Sequence, residues 1–174
     1  MNGLIIYFYS ITLTGRGGTE TVLKTIDPLL MDANHEARYL FPTPATADPT
    51  WDQSIRERVV YTQRTLHDMV PRVEQSNPLF EMILDLQATL KTLPKPDVII
   101  GMSPLMLVVA KLSMSVYDGR PPLLVSWMHA SLHVIPDLNL LGYADAHLAI
   151  STGIYHQLKK TLKININQLI TIHN

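Results

Sequence analysis

Leu4-Ile5-Ile6-Tyr7-Phe8-Tyr9, followed by Gly15-Arg16-Gly17-Gly18-Thr19-Glu20-Thr21-Val22-Leu23, is the stretch on which the reading of this chain turns. An apolar run leads through glycines into residues with helical spacing, so it reads as strand, tight turn and helix start. Glycine lets the backbone turn this tightly and leaves room for another molecule against it. The helix that follows directs its free N-terminal amides, and the positive end of its dipole, back into the turn. The segment therefore predicts a site suited to an anionic or polyhydroxy ligand.

Working outward, apolar runs and helical patterns alternate to the end of the chain. Strands are expected at Leu4–Tyr9, Glu36–Phe41, Asp97–Gly101, Leu123–Trp127, His147–Ile150 and Leu169–Ile172. The first helix spans Thr19–Met31, with Val22, Leu23, Ile26, Leu29 and Leu30 on its apolar stripe and a kink expected at Pro28. Asn34 stands where a left-handed C-cap is common. Residues 42–52 hold three prolines and read as loop. Two helices are expected next, over 53–74 and 78–92, divided at Ser76-Asn77-Pro78. Ser103-Pro104 predicts a capped helix start, and Ser151 an N-cap for a helix reaching Leu162. Apolar strands joined by helices imply an α/β fold: a doubly wound parallel sheet covered on both faces, of the Rossmann-like kind, in one domain over residues 1–174.

The bulk numbers narrow the function classes. A net charge of -1 leaves no global field to recruit nucleic acid, and none is expected as a partner. With no cysteines there is no disulfide framework and no thiolate metal site, which fits a reducing cytoplasm. The start lacks a basic n-region and a cleavage site, so it does not read as a signal peptide. Pro104–Met114 is too short to span a bilayer. The expected localisation is cytoplasmic, free or peripheral on the inner face of the cell membrane. Membrane contact would come from the 53–74 helix, where Arg56, Arg58, Arg64 and Arg72 accompany Ile55, Val59, Leu66, Met69, Val70 and Val73. A solvated outer face is the favoured reading of the same residues.

Ligands of open α/β sheets bind outside the carboxyl ends of the strands. There the sequence places Thr14–Glu20, Met102-Ser103-Pro104, Met128-His129-Ala130-Ser131 and Ser151-Thr152-Gly153. The glycine turn lacks the third glycine of G-x-G-x-x-G. Strand two ends in Leu40-Phe41-Pro42, without the acid that holds an adenosine ribose, and no G-K-[ST] follows the turn. Gly17 and Gly18 are thus candidates for backbone approach to a ligand, with helix-to-sheet packing as the plainer alternative. His129, at a strand end, is the candidate for hydrogen bonding or proton transfer, or simply a loop residue. His129 and His133 are four apart, but His-Ala-Ser-Leu-His lacks the glutamate of H-E-x-x-H, and no metal is expected. Glu20 reads as a partner for ligand hydroxyls or as a complement to the helix dipole. Ser151 reads as a ligand donor or as an N-cap.

These residues in this order resemble the N-terminal half of a GT-B glycosyltransferase of the large retaining family 4. Gly17-Gly18-Thr19-Glu20-Thr21-Val22 looks like the family's G-G-x-E-x-V, and Asn34-His35-Glu36 like its G-H-E with Asn for Gly. Pro96-Asp97-Val98-Ile99 resembles its P-D strand, and the strand ending in His129 its strand carrying a single histidine. Ala144-Asp145 through Ser151 resembles its A-D-x-x-x-x-x-S segment, and Ile170–Asn174 the strand before its linker. Ser126-Trp127-Met128-His129 and Ala149-Ile150-Ser151-Thr152-Gly153-Ile154 are most similar to bacterial lipopolysaccharide 1,6-galactosyltransferases. The resemblance implies an acceptor-side domain whose glycine loop approaches the donor's diphosphate and whose His129 contacts the transferred sugar. It implies a nucleotide diphosphate sugar as donor, expected to be UDP-linked galactose or glucose, and a cell-surface glycan or glycolipid such as lipopolysaccharide core as acceptor. It also implies no cofactor, no metal, and a C-terminal donor-binding domain beyond Asn174, without which little transferase activity is expected. Two other readings stay open from the residues: a non-catalytic module binding a glycan or lipid-linked acceptor, and a nicotinamide-dependent or flavodoxin-like protein.

Overall fold

A computed structural model describes residues 3–11, 18–42, 53–62, 77–129, 131–162 and 168–172. Seven strands form one parallel sheet in the order β3-β2-β1-β4-β5-β6-β7: β1 (Ile5–Tyr9), β2 (Glu36–Phe41), β3 (Val59–Tyr61), β4 (Val98–Gly101), β5 (Leu123–Met128), β6 (Ala146–Ala149) and β7 (Leu169–Thr171). The order runs outward in both directions from the β1/β4 boundary. That is the doubly wound pattern, with its topological switch point between β1 and β4.

Alternation along the strands divides the core between the two faces. Ile6, Phe8, Tyr39, Ile100, Val125 and Trp127 pack on one face with Leu23 of α1 (Gly18–Asp32) and Ile55 of the short α2 (Gln53–Arg56). Tyr7, Tyr9, Ile99, Leu124 and Met128 pack on the other with α3 (Pro78–Thr92), α4 (Pro104–Ser113) and α5 (Thr152–Leu162). Gly101 admits α4 to the sheet, since a Cβ there would lie 2.5 Å from Leu107 Cδ2.

Local chemistry sets the boundaries. Asn77 and Ser103 cap α3 and α4 by accepting from the Leu79 and Met106 N–H groups, at 3.0 and 3.3 Å, each ahead of a proline in the first turn. Asn34 ends α1 in the left-handed conformation at φ 61°, as expected of its place in the sequence. α1 continues through Pro28 to Asp32, one residue past the expected Met31.

The helix expected over 53–74 is corrected. It stops at Arg56, and Val59–Tyr61 leaves it to pair in parallel with Tyr39–Phe41 of β2. Two β-branched residues and a tyrosine fit a pleated edge better than a helix. Arg58 does not line a solvated or lipid-facing stripe. Its guanidinium pairs with Asp27 of α1, whose side chain is 3% exposed. Arg64, Arg72 and the apolar residues from 66 to 73 lie outside the described residues.

Candidate functional site at the carboxyl edge of the sheet

The strands end together on one edge. β1 runs out into Ser10 and Ile11, β4 into Met102 and Ser103, β5 into His129, and β6 into Ile150 and Ser151. The N-terminus of α1 opens on the same edge because α1 follows β1. The structure thus gathers Gly18, Glu20, His129 and Ser151 at one end of the sheet. Gly17 lies outside the described residues.

Gly18 is the first residue of α1 and exposed, and a Cβ built on it would meet nothing within 4 Å among the described residues. Packing against the described fold therefore does not require glycine there. Glu20, in the first turn, is only 4% exposed. A carboxylate whose sole task was to complement the helix dipole would ordinarily sit in water.

His129 follows directly on β5, and its ring meets the Trp127 indole with centroids 4.6 Å apart at 45°. Its Nε2 is buried and has no hydrogen-bond partner among the described residues, as is true of Trp127 Nε1. Burial holds the imidazole below its ordinary pKa of 6.5, so it is neutral at neutral pH. A neutral imidazole donates from one nitrogen and accepts at the other, which suits it to sugar hydroxyls. The strand around His129 stands out in the sequence; the two unsatisfied ring nitrogens emerge only when Trp127 is packed beside it.

Ser151 caps α5, since its Oγ accepts from the Ile154 N–H at 3.2 Å. The hydroxyl keeps its own proton for donation. His133 lies on a 3-10 turn over Leu132–Val134, while His129 directly follows β5, so the two do not share a helix face. Gln157 of α5 pins the loop between them: its Oε1 accepts from the Leu132 N–H at 2.9 Å and from Ser131 Oγ at 3.3 Å. Trp127 enters the sequence reading only as a member of the Ser126–His129 motif, with no role of its own, and Gln157 does not enter it at all. A buried indole and a helical glutamine both look like ordinary packing until their neighbours are known.

At the opposite, amino edge, a shallow depression is lined by Gly3, Leu4, Met31, Asn34, His35 and Glu36. Its histidine is engaged in the fold, since His35 Nδ1 accepts from the Leu4 N–H at 3.0 Å.

No family model and no curated protein sequence matches the chain. Solved structures do. The chain is similar to the lipopolysaccharide outer core galactosyltransferase WaaB in its apo form, at 22% identity and a TM-score of 0.79, covering 98% of this chain and 46% of that one. It is similar to HepE of Anabaena, solved with UDP and glucose, at 17% identity and a TM-score of 0.64, covering 98% and 44%. Sucrose-phosphate synthase of Thermosynechococcus elongatus matches at 14% identity and a TM-score of 0.62, covering 96% and 47%. The chain spans less than half the length of each of these three. Its fold is the Rossmann-like N-terminal fold of the GT-B glycosyltransferases.

Proposed function

We propose that this chain is the acceptor-side half of a retaining glycosyltransferase. The enzyme would move a hexose, galactose or glucose, from a UDP-linked donor to a hydroxyl of a cell-surface glycan such as lipopolysaccharide core. The bond between the anomeric carbon and the diphosphate breaks. A bond from that carbon to the acceptor oxygen forms with retention, and the acceptor proton leaves.

The observation that carries the reading is the desolvated His129 just past β5, whose Nε2 has no partner among the described residues, on the edge where α1 presents its N-terminus. His129 would hold a hydroxyl of the transferred sugar. The Gly17-Gly18 backbone and the α1 amides would face the donor's diphosphate, whose charge the helix dipole favours. Glu20 and Ser151 would meet further hydroxyls. A second domain of the same protein would supply most of the nucleotide contacts and the cationic groups for the leaving diphosphate, without a metal.

The test is His129→Ala in the complete gene product. Loss of one preorganised donor should lower kcat by about 100-fold. Stability should fall by only about 1 kcal/mol, the scale of the lost ring contact with Trp127, since among the described residues no hydrogen bond to Nε2 is lost. An undiminished rate removes His129 from the site. Glycan binding by a wild-type protein that transfers no sugar favours a non-catalytic acceptor-binding module instead.

A further inference from the structure

A row of rings crosses the α1 side of the sheet and ends at His129. Tyr39 of β2 stacks on Phe8 of β1 with centroids 5.3 Å apart at 16°. Phe8 reaches past β4 to Trp127 at 6.0 Å, and Trp127 meets His129 at 4.6 Å. Tyr39, Phe8 and Trp127 are 0%, 2% and 2% exposed, so the row is held inside the core as far as the imidazole. Its far end is anchored too, because the Tyr39 hydroxyl donates to Asp27 Oδ1 at 2.5 Å.

His129 itself stands on a loop just past the strand. Among the described residues no hydrogen bond reaches Nε2, so none of them fixes the imidazole through that atom. The contact it does make is with the indole. We propose that Trp127 is a positioning residue: its indole sets the plane of the His129 imidazole and walls that ring off from water. Positioning by a rigid, buried row suits a group that must meet a ligand hydroxyl within a few tenths of an ångström. The catalytic consequence rests on the glycosyl-transfer reading; the positioning itself does not.

The imidazole's depressed pKa has burial as its cause and no neighbouring charge among the described residues. The elements around this corner carry Glu20 on α1, His133 on the following turn and His156 on α5. Removing the indole should admit water and raise the His129 pKa toward its ordinary 6.5.

The experiment compares Trp127→Leu and Trp127→Phe in the complete gene product. The His129 ring signal is followed through a pH titration by NMR and identified by its loss in His129→Asn. Trp127→Leu is expected to move the midpoint upward, and Trp127→Phe, which keeps a ring, to hold it near the wild-type value. In transfer assays the acidic limb of kcat/KM should move with the midpoint in Trp127→Leu. Its kcat should fall roughly 10- to 100-fold while KM for the donor changes less. Trp127→Met replaces the leucine variant if that one does not fold.

A folded Leu or Met variant with an unmoved midpoint overturns the proposal. So does failure of both to fold, which assigns Trp127 to the core alone. If the wild-type protein transfers no sugar, the proposed function falls, and the NMR titration still decides the role of Trp127.

Discussion

Ser126 and His147 face each other across β5 and β6 and share a 2.7 Å hydrogen bond. A Ser–His contact invites a nucleophile-and-base reading, but the two residues are 0% and 1% exposed and sit on the face covered by α4 and α5. The pair is a satisfied core contact, and burial holds the His147 imidazole below its ordinary 6.5. The sign of the pH effect follows. Above 6.5 both the folded and the unfolded imidazole are neutral. Below it the unfolded chain takes up a proton that the folded one resists, so stability falls as the pH drops from about 6.5 toward the lowered folded value. His129 adds a second contribution of the same sign. Denaturant midpoints measured between pH 7.5 and 5 should therefore decline in the wild type, and the slope should be shallower in His147→Gln. An equal slope in the variant would remove His147 as a source.

Among the elements, α1, β2 and β3 are joined by one buried polar lock. Asp27 of α1 accepts from the Tyr39 hydroxyl at 2.5 Å and from the Arg58 guanidinium, which is 20% exposed. Burial and the carboxylate beside it push the Tyr39 phenol up, so it remains a donor. Removing the carboxylate leaves the buried Tyr39 hydroxyl without its acceptor and takes away the charge paired with Arg58, so Asp27→Ala should cost about 3 kcal/mol. A double-mutant cycle with Arg58→Ala should show strong coupling. Additive losses in that cycle would show that the contact does not hold β3 to the sheet.

The same elements show what the sequence could and could not reveal. Leu4–Tyr9 and Glu36–Phe41 are legible because a strand buried on both faces is apolar throughout. Val59–Tyr61 is not, because three residues at an edge are defined by pairing with β2, and their spacing from Ile55 mimics a helix. The motif residues His35, Asp97 and Asp145 are legible as a pattern, but their role is not. Each accepts a backbone N–H of the neighbouring strand: His35 from Leu4 at 3.0 Å, Asp97 from Ile5 at 2.8 Å, and Asp145 from Leu124 at 2.9 Å. These side chains fasten the amino end of the sheet, opposite the candidate site. At that site His129 and Gly18 could be picked out from strand ends and glycines. Trp127 could not, because its role depends on a ring contact across the fold.

The whole molecule divides its labour between the two ends of one sheet. The amino end is tied by side-chain fasteners, and the carboxyl end gathers glycine, carboxylate, imidazole and hydroxyl groups around the switch point. The α1 side of β5 to β7 keeps Leu123 and Ile170 44% and 56% exposed. Among the described residues no helix is long and apolar enough to cross a membrane. The chain spans 44–47% of the three glycosyltransferase structures compared with it, and the proposed activity is assayed on the complete gene product. The central claim is tested most directly by incubating that product with UDP-galactose or UDP-glucose and a truncated lipopolysaccharide acceptor, then determining the anomeric configuration of any glycan formed by NMR. The account predicts transfer of one hexose with the donor's configuration retained. Transfer with inversion would contradict the retaining mechanism, and acceptor binding without transfer from either donor would contradict the assignment as a hexosyltransferase.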